Sequence, residues 1–223
     1  MNIREMYSIL TQMPLLQGLN GMDLAKVEER VSISINIMEA SNQPFLQQGD
    51  ICNELIFLAE GKFTKKTVSE DSRFTTWEEI TAPAVIEPEQ LYGLTCKYNS
   101  TYFTKTRCSM FTVSKINVTN HLMHLDIFRI NYINMLSAQI HKLRRQNTNK
   151  YGENARQKLI TFLNCNFMQT DGEKNIQIKM RDLAEYIGET RLTVSCILNE
   201  MNKEGQIELK RMGIIIQNIK LLH

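Results

Sequence analysis

The chain has 223 residues, of which 43% are hydrophobic and 22% charged, and its net charge at neutral pH is only +2. This length suits two modest domains, and the small net charge excludes a polyelectrolyte that coats nucleic acid indiscriminately. No apolar run reaches the roughly 18 residues of a membrane span, and the charged N-terminal segment does not resemble a secretory signal peptide. We therefore expect a cytoplasmic protein without membrane contact.

The five cysteines are scattered along the chain, and none of them forms a Cys-x-x-Cys pair with another. Such spacing predicts neither a disulfide framework nor a zinc or iron-sulfur site. No metal and no cofactor is expected.

In chain order, the first 30 residues predict a helix with one apolar face. From about Ile33 to Ser114 the sequence pattern changes to short apolar runs, which are separated by turn sequences such as Gln48-Gly49-Asp50 and Glu60-Gly61-Lys62. Short alternating runs between turn signals are typical of a strand meander. An antiparallel β-sandwich or roll fits this region best.

Residues 117–147 contain neither glycine nor proline and predict one long helix. Apolar side chains recur in a heptad rhythm at Leu122, Ile133, Leu136, Ile140 and Leu143. Arg129 interrupts this seam. The seam therefore has two interpretations, because it can pack on the chain's own β domain or pair with a second copy, and for an isolated helix the periodicity favours the first.

A polar stretch at Asn147–Gly152 predicts a hinge, after which a helix and a short strand lead into the most informative segment, Met180–Gly205. There, a short helix ends at Gly188, a residue that tolerates the left-handed conformation, and Thr190 can cap a second helix. The second helix carries an apolar stripe at Val194, Ile197, Leu198 and Met201. Two such helices, joined by a glycine turn, predict a helix-turn-helix.

The polar edge of the second helix is expected to enter a DNA major groove. Arg191 is the candidate base reader, since a guanidinium can bond a guanine edge with two hydrogen bonds, while Asn199 or Ser195 contacts bases or phosphate. The expected DNA-binding residues are Thr190, Arg191, Leu192, Thr193, Ser195, Cys196 and Asn199. The residues after Gly205 predict a hairpin, or wing, with a basic turn at Lys210-Arg211. An ordinary helical hairpin with a solvated Arg191 is the alternative, and the wing argues against it.

These segments resemble the cyclic-AMP receptor protein and fumarate-nitrate regulator family of bacterial transcription regulators. The resemblance rests on residues 45–50 and 55–62 for the β-roll, and on residues 182–184 and 193–198 for the DNA-binding part. It implies an α+β fold with an N-terminal double-stranded β-helix, that is, a cyclic-nucleotide-binding-like β-roll, then a long dimerisation helix and a C-terminal winged helix-turn-helix. The implied domains are 1–116 for the sensor, 117–149 for the long helix and hinge, and 150–223 for the DNA-binding domain.

The resemblance also implies function. In this family the long helix pairs with its twin, so a homodimer that binds a near-palindromic operator in double-stranded DNA is expected. RNA polymerase and a small-molecule effector are the further partners that it implies.

Two departures from the family pattern concern the effector. The Gly-Glu-Leu segment of cyclic-AMP binders is replaced by residues 87–93, and the stretch 98–101 lacks the arginine that holds the cyclic phosphate. Binding of cyclic AMP in the usual way is therefore not expected. The candidate effector residues are Glu89, Gln90, Leu91, Tyr92, Asn99, Ser100 and Thr101. No cysteine precedes Cys52, so the iron-sulfur ligands of the oxygen-sensing branch are absent as well.

Two further departures lie in the recognition helix, where Leu192 replaces a family glutamate and Cys196 an arginine. The operator of well-known members therefore does not transfer to this chain. Cys196 is either a redox-sensitive position or a small neutral contact, and His121 and His124 are either ligands or polar helix surface.

Two other functions fit the sequence less well than DNA binding does. A cupin-type enzyme needs histidines on its strands, but every histidine lies beyond the β region, so no enzymatic activity is expected. A ligand-sensing β-roll that regulates a partner protein without binding DNA would have no use for a capped recognition helix.

Overall fold

The fold is that of a computed structural model in which residues 11–148, 154–167 and 172–222 are described. The chain forms two compact units. The first comprises the residues up to Thr64 together with Ile80–Ala138, and the second comprises the described residues of Lys65–Glu79 and Gln139–His223. The three-domain division at residues 116 and 149 stays a prediction, and the hinge that it includes lies largely outside the described residues.

The first unit begins with helix α1, Gly21–Arg30, which is capped by the side chain of Asn20. The helix that the sequence predicts over the first 30 residues is thus shorter, because residues 11–18 form turns and the first ten residues lie outside the described part. Met13 and Leu15 within these turns are fully buried. Their apolar side chains reach the core without helical periodicity.

A four-stranded antiparallel sheet forms the centre of the first unit. Its strands are β1 (Ile33–Met38), β2 (Glu54–Glu60), β5 (Ala84–Ile86) and β7 (Cys108–Ser114), in the spatial order β1-β7-β2-β5. Phe57 and Phe111 face each other across β2 and β7, and their rings stack at a centroid distance of 4.6 Å. The sheet has open edges at β1 and β5, so it is a roll, as predicted, and not a closed barrel.

Three more strands complete the β region, namely β3 (Lys62–Val68), β4 (Phe74–Thr81) and β6 (Thr101–Thr104). The turn from β2 into β3 is made by Gly61 at a φ of 94°. A Cβ atom at this position would lie 2.4 Å from the carbonyl oxygen of Arg107. Only glycine fits, which explains the Glu60-Gly61-Lys62 turn signal.

The helical region after β7 departs from the prediction of one long helix. It consists of α2 (Lys115–Asn120), a 3-10 turn at Leu122–His124 and α3 (Asp126–Thr148). The chain leaves helical geometry between α2 and α3 because Leu122 and Leu125 are buried in the core of the first unit. Burial of these two side chains outweighs continuation of the helix.

This break changes the seam that the heptad spacing predicted. Leu122 belongs to the core, Leu136 packs partly against it, and the side chain of Leu143 is outside the described part of the chain. The outward row of α3 consists instead of Ile130, Ile133 and Ile140, with exposed fractions of 51%, 54% and 52%. The seam that packs on the β domain and the seam that faces outward are therefore two different rows of one helix.

The second unit contains α4 (Ala155–Cys165), β8 (Lys174–Ile178), α5 (Met180–Ile187), α6 (Arg191–Lys203), β9 (Glu208–Lys210) and β10 (Gly213–Ile216). β10 pairs antiparallel with β8 on one side and with β9 on the other. The predicted wing is confirmed as the β9–β10 hairpin. The core of the second unit is made by buried side chains, including Leu159, Leu163, Ile176, Leu183, Val194, Leu198, Ile214 and Ile216.

The tip of the β3–β4 hairpin also belongs to the second unit. Residues 74–78 of β4 pair antiparallel with residues 174–178 of β8. Phe74 makes edge contacts with Phe162 and Tyr186, with ring centroids 5.6 Å and 5.4 Å away. The sheet of the winged helix is thereby extended by a strand from a distant part of the sequence.

Candidate nucleic-acid interface

The turn between α5 and α6 has the geometry that the sequence predicted. Gly188 ends α5 at a φ of 67°, and its backbone N–H donates to the carbonyl oxygens of Ala184 and Glu185. The side chain of Thr190 then caps α6 by accepting a hydrogen bond of 3.1 Å from the backbone N–H of Thr193. Both helix ends are satisfied locally, which fixes the path of the turn.

The apolar stripe of α6 sets which edge of the helix faces outward. Val194, Ile197, Leu198 and Met201 are all buried in the core of the second unit. On the opposite edge Arg191, Leu192, Cys196 and Asn199 are exposed, while Thr193 and Ser195 are half-buried. The burial of one stripe thus exposes the candidate DNA-binding residues together.

These residues differ in what their polar groups are free to do. The Thr190 hydroxyl is used in the cap and lies 2.8 Å from the Thr193 hydroxyl. The Asn199 amide donates to the carbonyl oxygen of Ser195 at 2.8 Å. Arg191 has no hydrogen bond and no ion pair with any other residue of the described part. Arg191 is therefore the free cation at the start of this helix.

Basic side chains form ion pairs with carboxylates at the ends of the helix-turn-helix. Glu189 contacts the Lys158 ammonium at 2.6 Å, and Glu204 forms a hydrogen-bonded ion pair with Arg156. The hydrogen bonds with Glu204, as the largest cause, raise the pKa of the Arg156 guanidinium. Like Arg191, Lys203 and Arg211 are exposed and have no partner within the described residues. The surface around α6 therefore combines paired acids with unpaired cations.

The wing places Arg211 and Met212 at the tip of its two-residue turn. Lys210 and Gly213 pair across the hairpin, and Met212 adopts a φ of 61°. Both tip residues are exposed. The basic turn expected from the sequence is therefore presented at the surface.

The candidate effector residues of the first unit fall into three groups. Glu89 and Gln90 are half-buried in the 3-10 turn Pro88–Gln90, and Asn99 is exposed. Leu91 and Ser100 are buried, at 0% and 1% exposure. Two others are engaged elsewhere: the Tyr92 hydroxyl lies 2.8 Å from that of Thr119, and the Thr101 hydroxyl accepts from the Gln48 backbone N–H at 3.1 Å.

A residue that the sequence reasoning did not select, Glu87, joins the two stretches. Its carboxylate is 2% exposed, and it accepts hydrogen bonds from the Asn99 backbone N–H at 2.6 Å and from the Tyr102 hydroxyl at 3.0 Å. Glu87 also has a φ of 35°. The signal that was available is an acidic residue directly before a proline, at the end of a buried strand.

His121 and His124 line an open cleft of about 260 Å³ in the first unit, together with Lys26 and Arg30. Within the described residues, no group of three or more His, Cys, Asp or Glu side chains is arranged to hold a metal ion. No helix in the same part of the chain is both long and apolar enough to cross a membrane.

Known proteins were compared with the chain by sequence and by fold. Residues 157–223 match the family model of the Crp-like helix-turn-helix domain. No curated protein matches the chain. Among solved structures, the catabolite activator protein of Thermus thermophilus is 17% identical, with a TM-score of 0.53, and the match covers 94% of this chain and 96% of that one.

The sensor domain of the transcriptional regulator DNR from Pseudomonas aeruginosa is 14% identical, with a TM-score of 0.53, over 64% of this chain and 93% of that one. These matches agree with the resemblance found in the sequence: residues 157–223 match a Crp-like helix-turn-helix domain, and the chain as a whole is similar in fold to the catabolite activator protein.

Proposed function

We propose that this protein is a homodimeric, sequence-specific transcription regulator that binds a near-palindromic operator through α6. The observation that carries the proposal is the capped helix α6 of a Crp-like domain, which buries its apolar stripe and leaves Arg191 exposed and unpaired. In a helix-turn-helix the N-terminal turn of the second helix contacts base edges. Such a protein acts in the cytoplasm, and RNA polymerase is its expected partner.

The proposed DNA contacts follow from the freedom of each side chain. Arg191 reads a guanine, because a free guanidinium can donate two hydrogen bonds to the O6 and N7 atoms. Leu192 offers apolar contact, Cys196 is a small neutral contact, and Asn199 retains its side-chain oxygen as an acceptor. Thr190, Thr193 and Ser195 line the same edge of the helix.

The proposed dimer forms through the outward row of α3. Ile133 and Ile140 are seven residues apart, and Ile130 precedes Ile133 by three, which is the spacing of a parallel two-stranded coiled coil. Each side chain is about half exposed. A twofold pair would present two copies of α6 about 34 Å apart, one helical turn of DNA.

We propose that the sensor does not bind cyclic AMP in the usual manner. The two stretches that replace the family's cyclic-AMP motifs, residues 87–93 and 98–101, are joined by the buried Glu87 carboxylate, which accepts a hydrogen bond from the Asn99 backbone N–H. A phosphate beside this carboxylate would meet like charge, and no arginine lies in residues 98–101 to offset it. Thermal unfolding with and without cyclic AMP tests this, and an unchanged Tm is expected.

Selection from random double-stranded DNA tests the whole proposal. The wild-type protein is expected to enrich a near-palindrome whose affinity falls steeply as salt rises, because phosphate contacts release counterions. Arg191→Ala is the matched variant, since it removes the free cation from an exposed position. Enrichment of no sequence at low salt, by a protein shown to be dimeric, would contradict the proposal.

A further inference from the structure

Two cysteines of the first unit face each other across an antiparallel pair of segments. Ile51 and Lys97 form a β-bridge, and the next residues inward are Cys52 and Cys96. The Cys52 backbone N–H donates to the Cys96 carbonyl oxygen at 2.8 Å. Because this hydrogen bond joins the two backbones, the Cα atoms of Cys52 and Cys96 lie on the order of 5.5 Å apart, within the roughly 4.4–6.8 Å that a disulfide spans. The bridge is an isolated one, and Cys96 beside it has a left-handed φ of 43°.

The environments of the two thiols differ. Cys52 is 0% exposed, and burial, as the largest cause, raises the pKa of its thiol, with the nearby charge of Glu87 adding to the increase. Cys96 is half-buried, and the Lys115 ammonium lies 3.4 Å from its sulfur. Cys96 is therefore the thiol that a small oxidant reaches, and Cys52 is the thiol held behind it.

We infer that Cys52 and Cys96 are an oxidative modification site, at which a hydroperoxide converts the two thiols into a disulfide bond. The Cys96 thiolate attacks the peroxide, so that a sulfur–oxygen bond forms, the oxygen–oxygen bond breaks, and the released hydroxide takes up the thiol proton as water. Cys52 then attacks the Cys96 sulfenic acid, the sulfur–oxygen bond breaks, and a second water leaves with the Cys52 proton. The peroxide is reduced and both sulfurs are oxidised.

The other cysteines provide matched comparisons within the same chain. Cys108 is as buried as Cys52, but the residue across from it in the sheet is Met38. Cys196 is exposed on α6 of the second unit. A general sensitivity to oxidant would modify Cys196 first, whereas the facing geometry selects Cys52 and Cys96.

The test treats the full chain with hydrogen peroxide, blocks the remaining thiols and maps the peptides without reduction. The expected result is one linked peptide pair, containing Cys52 and Cys96, that disappears on reduction. In the Cys52→Ser variant, Cys96 is expected to accumulate as a sulfenic acid that dimedone traps, and Cys108→Ser is expected to leave the linked pair unchanged. The same oxidation in urea, where all five cysteines meet at random, should give mixed pairs.

Two results would overturn the inference. One is a native peptide map in which only Cys196 or Cys165 is oxidised while Cys52 and Cys96 stay reduced. The other is a Cys52–Cys96 pair that forms only in urea. Because the wild-type peptide map needs no substitution, a variant that fails to fold leaves the test intact.

Discussion

The Arg73 guanidinium lies 2.9 Å from the Oε1 atom of Glu185, which bonds the tip of the β3–β4 hairpin to the first helix of the helix-turn-helix. The Tyr186 hydroxyl adds a hydrogen bond to the Asp71 carboxylate. Beneath these polar contacts, Phe74 packs edge-on against Phe162 and Tyr186. The apolar contact contributes more to the stability of the second unit than the ion pair does, since the ion pair is exposed to solvent.

Phe74→Ala is therefore expected to lower the free energy of unfolding of the second unit by about 1–3 kcal/mol, through lost burial and aromatic contacts. Leu94→Ala is the control, because Leu94 is fully exposed and buries no surface. Urea denaturation of both variants checks the expectation. Equal stability of the two would mean that the hairpin tip does not support this unit.

Arg191→Ala is expected to cost on the order of 1–3 kcal/mol of binding free energy at one base position of the operator. The reason is the loss of a two-bonded guanine contact by a side chain that is free in the protein. Lys203→Ala, which removes another unpaired cation of α6, should weaken all sequences alike. Titration against a set of single-base operator variants separates the two patterns, and a uniform loss would make Arg191 a phosphate contact.

Leu192 is 74% exposed on the same helix, where an apolar side chain can contact the methyl group of thymine. Replacing the contacted thymine by deoxyuridine removes that methyl and is expected to weaken wild-type binding about fourfold, the equivalent of one buried methyl group. The Leu192→Ala variant should respond less to the same base change. An identical response of the two proteins would exclude this contact.

The dimer seam is tested by placing a charge in it. Ile133→Asp is expected to give a monomer, because two carboxylates would face each other in a parallel coiled coil. Ile116→Asp is the matched control, since Ile116 is also an exposed isoleucine, at 71%, but lies on α2. Analytical ultracentrifugation reports the mass, and a dimer that survives Ile133→Asp would place the interface elsewhere.

A pH dependence follows from the Tyr186 hydroxyl. Burial first, and then the hydrogen bond with Asp71, raises the pKa of Tyr186 to about 12 from an ordinary value of 10.0. A raised pKa favours the protonated, folded state, so this stabilisation is complete below pH 10 and is lost as the pH rises towards 12. Tyr186→Phe should therefore unfold with a weaker dependence on pH between 10 and 12 in urea titrations. Parallel curves for the two proteins would contradict the assignment.

Local signals explain what the sequence could predict. The helix-turn-helix was predictable because Gly188, Thr190 and the α6 stripe each act within a few residues. The break before α3 was not, because the burial of Leu122 depends on the tertiary core rather than on periodicity. Pairing of β4 with β8 was equally hidden, since the two strands lie far apart in the chain and long-range pairing leaves no local pattern.

Glu87 shows a different reason for a missed residue. The comparison with family motifs directed attention to Glu89 and Asn99, but it is Glu87 that hydrogen-bonds the Asn99 backbone and the Tyr102 hydroxyl. Its role depends on a left-handed backbone conformation, which is uncommon for a glutamate. The amino-acid sequence around Glu87 does not predict such a conformation.

The strand that β4 adds to β8 makes the second unit discontinuous in sequence. A fragment cut at residue 150 would keep α5, α6 and the wing but would expose the β8 edge, with its unpaired backbone donors and acceptors. Bare strand edges invite pairing with other chains. A strand edge is also exposed during synthesis, because β4 leaves the ribosome long before β8. Until β8 is made, β4 has no partner on that side. The nascent β3–β4 hairpin is therefore the part of the chain that a chaperone would most need to bind.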